Sequence, residues 1–558
     1  MSATRMLASM TAGLALLGAC QTTPTEADLI FRNGPIFTAN ANGDVAEVVV
    51  VDDGKIVAVG STDLLETYAA PTIVDLHGRL LIPGFNDAHT HIHGNPPGFV
   101  AVSGARSIAE LAELVAGMTE VVEPGEWITG YGWSEDRLSE GRKPTRFDLD
   151  AVSPDNPVYL TREGGHSGVA NSKALEIAGL TAETPQPEGG EIGKNADGQL
   201  TGVITERNDL VRRHIPPSDE AEIAADLARN LNKQFALGIT SLTDASTGPD
   251  QYAPLWKRAY AEAELPLPRA TVQIRPTITA GNADAAIESL RAFGAVTGEG
   301  DEHLKVGALK IFVDGGFTGP AAYTTQGYRN DPSYHGSLTA PLSDIEAVAR
   351  AAHEMGWQFG FHTIGDAAID QTVVMIDGIL ADAPKADHRH YLNHFSMTPK
   401  RETIELLVKD GVAIVQQPNF TYSLEGRYTQ YLPDDAQQVN NPVATPLNMG
   451  AQMAFSSDII PMGPLIGVYA AVTRKGASGT VYGPDERIDV KQAIRLYTHG
   501  GAWVNFDEDI KGEIAPGMLA DLVVLSEDIL TAPPEEILKT KVDMTVLGGE
   551  IVYERPEQ

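Results

Sequence analysis

Cysteine is almost missing from this chain. Cys20 is the only one in 558 residues, so no disulfide can form within the chain and stability has to come from a buried core. Positive charge is also scarce: 41 lysines and arginines stand against 75 aspartates and glutamates, a formal charge of −34. That balance argues against nucleic acid or an anionic membrane surface as a partner, since both call for basic patches. Long apolar runs are lacking as well. The one candidate, Met6 to Ala19, is shorter than the roughly 20 residues a membrane-spanning helix needs. No short repeat of fixed period is visible, which argues against a solenoid or propeller. Gly165-His166-Ser167-Gly168-Val169 lacks the last glycine of G-x-S-x-G, so the serine-hydrolase elbow fails on motif.

What is there begins with the leader. Arg5 precedes the apolar run, which reads as the core of a signal peptide over residues 1–19. Leu17-Gly18-Ala19-Cys20 resembles a bacterial lipobox, after which the cysteine is lipidated. Residues 20–27 then read as a short tether. Gln21, rather than an aspartate, follows the cysteine, which by resemblance to proteobacterial sorting points to the outer membrane, facing the periplasm. The alternative is a plain secretory signal and a soluble periplasmic protein.

The rest has ordinary globular composition, 42% hydrophobic and 21% charged. From Asp28 to Pro83, β-rich runs alternate with the turn pairs Asn33-Gly34, Asn42-Gly43 and Asp53-Gly54. Similar runs return at residues 508–558, at Ile510–Ile514, Asp521–Leu525 and Val542–Tyr553. The two ends are expected to fold together as a small β-sandwich. Between them, residues 84–507 alternate strand-like and amphipathic helical runs, the pattern of parallel strands with crossover helices. The expected strands are the opening one and those near Val158–Thr161, Thr240–Thr243, Val306–Val313, Phe359–His362, Tyr391–His394, Val412–Gln416 and Gln452–Ser456. The fold class is therefore α/β, a (β/α)8 TIM-like barrel. Residues 94–231 form an insertion, and Thr184–Gly202 within it reads as a hairpin or flap.

In such a barrel, polar side chains at the C-terminal ends of apolar strands are the informative ones. Leu81 to His93 reads LIPGFNDAHTHIH, which puts His89 and His91 on one face of an extended strand. Two imidazoles so placed are half of a divalent-metal site or part of a core histidine cluster. His362 closes the run from Trp357, and His394 closes the run from Tyr391. Asp458 closes Met453 to Ser457 and is either a helix cap or a ligand that takes a proton from bound water. Lys310 lies inside an apolar run, where a bare cation is costly. It is either paired with Asp314, which shares its face, or carboxylated by CO2 into a metal-bridging ligand.

With these residues in place, the chain resembles the amidohydrolase superfamily, specifically amidohydrolase family 3, which includes the N-substituted formamide deformylases. The matching stretches include PGFNDAHTH at 83–91, LTREGGHSGVANSKAL at 160–175, LKIFVDGG at 309–316, FHTIGDAAID at 361–370, RHYLNH at 389–394, QQPNF at 416–420, SSDIIP at 456–461 and GEIAPGMLADLVVL at 512–525. The resemblance implies that His89, His91 and Asp458 bind the more buried metal, and that His362 and His394 bind a second. It implies a carboxylated Lys310 as the bridge, Asp458 as proton shuttle, and His166 facing the substrate carbonyl. Zinc is the expected ion, one or two per chain. His93 and His390 are expected either to support the ligands from behind or to be structural. Asn393 stands where the family usually has an acid, which bears on the support of His394.

The activity so implied is hydrolysis of a C–N bond of amide or formamide type by metal-activated water. An ester, carbamate or cyclic amide is the alternative substrate at the same site. A non-catalytic periplasmic binding lipoprotein on a decayed barrel is the alternative from another class. The expected partner is a small-molecule substrate, with no nucleic acid and with membrane contact only through the lipid; an oligomer is compatible with the sequence. Substrate choice is expected in Glu188–Thr205 and in Phe317–His335.

Overall fold

The computed structural model describes residues 24–556 except 136, 164, 318–319 and 460–461. The leader and Cys20 lie outside the described residues. No helix among the described residues is long and apolar enough to cross a membrane.

Eight parallel strands form the central sheet: β1 (Phe85–Thr90), β2 (Ile239–Thr247), β3 (Arg269–Ile274), β4 (Leu304–Phe312), β5 (Phe359–Thr363), β6 (Tyr391–His394), β7 (Ala413–Gln416) and β8 (Met453–Phe455). Each pairs with the next in chain order. A parallel bridge between Thr90 and Asp458 brings the ends of the first and last strands together. The Asp458 amide donates to the His89 carbonyl at 2.8 Å there. This is a nearly closed TIM-like barrel, as expected. Helices such as Glu220–Asn232, Ala283–Phe293, Leu342–Met355 and Asp366–Asp382 bury one stripe each in the largest apolar core.

One expectation about the barrel strands is corrected. Val158–Arg162 is not in the barrel; it pairs with Ile128–Trp133 and Ser167–Ala170 in a different sheet. Its place in the barrel is taken by β3, the run Arg-Ala-Thr-Val-Gln-Ile. Arg269, Thr271 and Gln273 alternate with apolar residues in β3 yet are all buried. The run therefore reads as a half-exposed strand although it has no exposed face.

Both chain ends join one mixed sheet. Its order is Glu550–Glu554, Val542–Leu547, Leu522–Leu525, Leu80–Pro83, Leu29–Phe37, Val45–Asp52 and Lys55–Gly60, with Thr72–Asp75 beside Leu29–Phe37. Its apolar core takes Phe31, Val49 and Leu81 from one end and Leu522, Val524 and Val546 from the other. Ile510–Ile514, expected as a strand, is turn and bend. At the handover from this sheet to β1, a Cβ on Gly84 would meet Thr240 Oγ1 at 2.0 Å. Only glycine permits that approach of β1 to β2.

The insertion after β1 is a folded layer. Its sheet runs Glu191–Lys194, Leu200–Thr205, Ser167–Ala170, Val158–Arg162, Ile128–Trp133, Phe99–Ala101. It carries its own core of Val100, Ile128, Trp133, Val158 and Leu160. The expected hairpin is present, as Glu191–Lys194 paired antiparallel with Leu200–Thr205. Because the insertion leaves the C-terminal end of β1, it stands on the face where barrel chemistry is placed.

Candidate metal centre

Strand register brings the six predicted residues toward one point. Lys310 pairs with Gly360, and Phe312 with His362. His362 in turn pairs with Asn393, and Thr363 with His394. Strict alternation would turn His394 away from the face that Asn393 occupies. Positive φ values of 76° at His394 and 49° at Phe395 break that alternation. The His394 ring then lies 4.3 Å from the His362 ring and 4.7 Å from the His89 ring, centre to centre. Asp458 also has a positive φ, 58°. Non-glycine residues in this region are strained, and such strain gathers at functional sites.

The ring of groups is tight. His89, His394 and Asp458 each offer a ligand atom, all within 4.8 Å of one another. This triple draws on both of the metal positions expected from the sequence. His91 Nε2 lies 3.5 Å from Asp458 Oδ1, and His394 Nδ1 lies 3.8 Å from Asp458 Oδ2. Lys310 Nζ lies 3.4 Å from His89 Nε2. The His91 and Asp458 side chains keep 20% and 13% exposure, whereas His89, Lys310 and His394 are closed off. The centre therefore opens to solvent on the His91–Asp458 side.

Supporting contacts fix which imidazole nitrogen is free. His89 Nδ1 donates to Asn393 Oδ1 at 2.6 Å, leaving Nε2 with its lone pair toward the centre. His394 Nδ1 donates to Gln417 Oε1 at 2.8 Å, and its Nε2 has no partner among the described residues. His362 Nε2 is likewise buried without a partner, and its ring stacks on Phe312 at 4.6 Å. Asn393 thus supports His89, and Gln417 supports His394; the sequence reading tied Asn393 to His394. Gln417 lies in the stretch QQPNF at 416–420, where nothing in the local pattern marks it as a partner of His394. Asp87 is likewise unmarked as a site residue. Its Oδ1 accepts the Ser457 amide at 2.9 Å, pinning the turn that carries Asp458 to β1.

Electrostatics separate the two readings of Lys310. Asp314 is occupied elsewhere: its carboxylate accepts the amides of Tyr323, Ile364 and Gly365 at 2.8–3.0 Å. Lys310 forms no ion pair among the described residues, and it is 1% exposed. Burial pushes its ammonium down to about 7, against the pull of Asp458 and Asp244. Burial pushes the Asp458 carboxyl up to about 6, and Lys310 draws it back. Burial, then Lys310, keep His89 and His362 well below the usual histidine range, and His91 falls to about 3. A buried amine whose pKa has fallen to about 7, beside the Nε2 atoms of His362 and His394 that have no partner among the described residues, fits a divalent cation. Without one, the unpartnered Nε2 atoms of His362 and His394 are uncompensated polar atoms, each costing about 1–3 kcal/mol.

The structure does not bring His166 to this ring. Its side chain is 76% exposed on the insertion, with Nδ1 3.2 Å from Glu206 Oε2. Among the described residues no hydrogen bond, ion pair or ring contact links it to the six. His93 is exposed beside His91, with ring centres 6.3 Å apart. His390 sits at the opposite, N-terminal end of β6, in a hydrogen-bonded set with His353 and His388.

Comparison with known proteins points the same way. Residues 72–553 match the model of an amidohydrolase family. A Bacillus subtilis protein named as an amidohydrolase, YtcJ, is 30% identical over 541 residues, covering 94% of this chain and 99% of its own. An N-substituted formamide deformylase of Arthrobacter pascens is 28% identical over 546 residues, covering 95% and 98%. Among solved structures, an uncharacterized metal-dependent hydrolase of Pyrococcus horikoshii shares the fold, with a TM-score of 0.69 at 24% identity over 91% of this chain and 99% of that one.

Proposed function

This chain belongs to the amidohydrolase family, a family of metal-dependent hydrolases, and from that premise we propose that it cleaves a C–N bond of amide or formamide type. The observation that carries the reading is the buried Lys310, with no ion pair among the described residues, inside a ring of His89, His91, His362, His394 and Asp458. The deformylase relative supports the bond class.

A divalent ion, zinc in this proposal, would supply Lewis acidity that brings the pKa of water down to about 7. His89, His91 and Asp458 would hold one ion, His362 and His394 another, with carboxylated Lys310 between them. Carboxylation needs only the neutral amine and CO2: nitrogen bonds to carbon and releases one proton. Asn393 and Gln417 keep the imidazoles in the ligating tautomer. Asp458, the more solvent-open carboxylate, accepts the proton of the attacking water and delivers it to the leaving amine. His166 would polarise the substrate carbonyl only with the insertion lying over the barrel mouth.

Asp458→Asn should keep its metal and lose about 10²- to 10⁴-fold in turnover; turnover within a few-fold of the parent would remove Asp458 from that role. The substrate class is tested with zinc-loaded protein against N-formyl amines, N-acyl amines, carbamates and lactams, reading amine release. Turnover of esters with no amine released from any of these would overturn the C–N reading.

We propose also that the terminal sheet acts as a small sandwich-like domain, and that Cys20 anchors the protein by lipid to the outer membrane. The lone cysteine after Leu17-Gly18-Ala19 supports the anchor. Cys20→Ala should move the protein from the membrane pellet to the soluble periplasmic fraction, and an unchanged distribution would refute it.

A further inference from the structure

The insertion sheet holds a cavity that the hydrolytic reading does not use. Strand register places Phe99, Thr129 and Tyr159 in one row across three strands, and Tyr131 beside Thr161 in the next. These residues share one face of the sheet. The opposite face is filled by Val100, Ile128, Val158 and Leu160. The first face is covered at its Tyr159 end, where Ala170, Ala174 and Leu175 pack. It is open further along, and Tyr131 remains 47% exposed. A cavity of about 800 Å³ lies there, bordered also by Pro96, Pro97, Trp127, Ile215, Pro216 and Pro217 and open to solvent on one side. That volume is in the upper part of the range for small-molecule sites, roughly 300–1,000 Å³.

The chemistry of the walls defines the ligand. Four aromatic rings, Phe99, Trp127, Tyr131 and Tyr159, and four prolines line it among glycine, threonine and aliphatic side chains, and these flat apolar surfaces suit a planar π-system. Charges sit among the lining residues as Arg212, Glu126 and Glu222. All three are exposed, so the charges stand at the rim and not in the interior. An ion buried against the aromatic interior would lose its water without a paired counter-charge. The cavity shares no residue with the metal ring. Pro96 is five residues beyond His91, so the two places are at most about 18 Å apart along the chain.

We propose that this cavity is a binding site for an uncharged aromatic molecule of one or two fused rings, separate from the metal centre. The proposal does not depend on which bond the metal centre cleaves.

The test is calorimetric titration of the full-length protein with 1-naphthol, which is neutral at pH 7, and with 1-naphthoate. The expected result is saturable naphthol binding in both zinc-loaded and chelator-stripped protein. Thr129→Trp, which fills the cavity from its central strand, should weaken it at least about tenfold. Tyr131→Ala, at an exposed wall, should weaken it about threefold or more. If Thr129→Trp does not fold, Tyr131→Ala and Phe99→Ala decide the matter. Four results would each overturn the proposal. One is no saturable binding up to about 1 mM. Another is unchanged affinity in the folded variants. A third is tighter binding of naphthoate than of naphthol. The last is loss of binding on chelation, which would put the molecule in the metal ring.

Discussion

Asn393 and Gln417 set the chemistry of the ring through the nitrogens that do not face it. Both are neutral amides accepting from an imidazole Nδ1, at 2.6 Å and 2.8 Å. A carboxylate in either place would make the imidazole more basic and a stronger ligand. Asn393→Asp is therefore expected to tighten zinc binding about ten- to hundredfold, and Asn393→Ala to weaken it by a similar factor. Competition against a chromophoric chelator measures both, and equal affinities across the three proteins would contradict this role. At this scale the sequence was informative where a polar residue interrupts or ends an apolar run, as His89, Lys310, His362, His394 and Asp458 do. It was silent on Gln417, whose role depends on the turn at His394 produced by two positive φ values. A backbone break of that kind leaves no periodic signal.

Between elements, one buried ion pair ties the barrel to the terminal sheet. Arg269 at the start of β3 meets Asp521, with Nε–Oδ2 at 2.8 Å and Nη2–Oδ1 at 3.3 Å. Both side chains are nearly closed to water, at 3% and 4% exposure. Asp521 Oδ1 also accepts the Gly548 amide at 2.9 Å. Removing one partner strands the other charge in the interior, which costs about 3–5 kcal/mol. Asp521→Asn should lower the denaturation midpoint accordingly while leaving metal content unchanged; a midpoint equal to the parent's would show that the pair does not join the two layers. The same arginine helps explain why β3 was missed in the sequence. A strand that begins with a charge and alternates Thr271 and Gln273 with apolar residues looks half-exposed. Here its charge is paired and its polar side chains are enclosed. Val158–Arg162, more uniformly apolar, has the stronger strand pattern, although it belongs to the insertion.

For the whole molecule, the barrel was legible because strand-helix alternation is a long-range pattern. The union of the two chain ends was legible because neither half has enough strands to cover its own apolar face. The insertion was only partly legible. Its hairpin carries glycine and proline signals, but its six-stranded sheet mixes parallel and antiparallel pairs that no local period announces. The barrel alone supplies the six side chains, at the C-terminal ends of β1, β4, β5, β6 and β8. The decisive measurement is the zinc content of purified protein after equilibration with zinc and bicarbonate and removal of free metal. At least about one zinc per chain is predicted, falling in His89→Ala. Less than about one per chain in the folded parent protein would contradict a metal-dependent hydrolase and favour a binding protein on a decayed barrel.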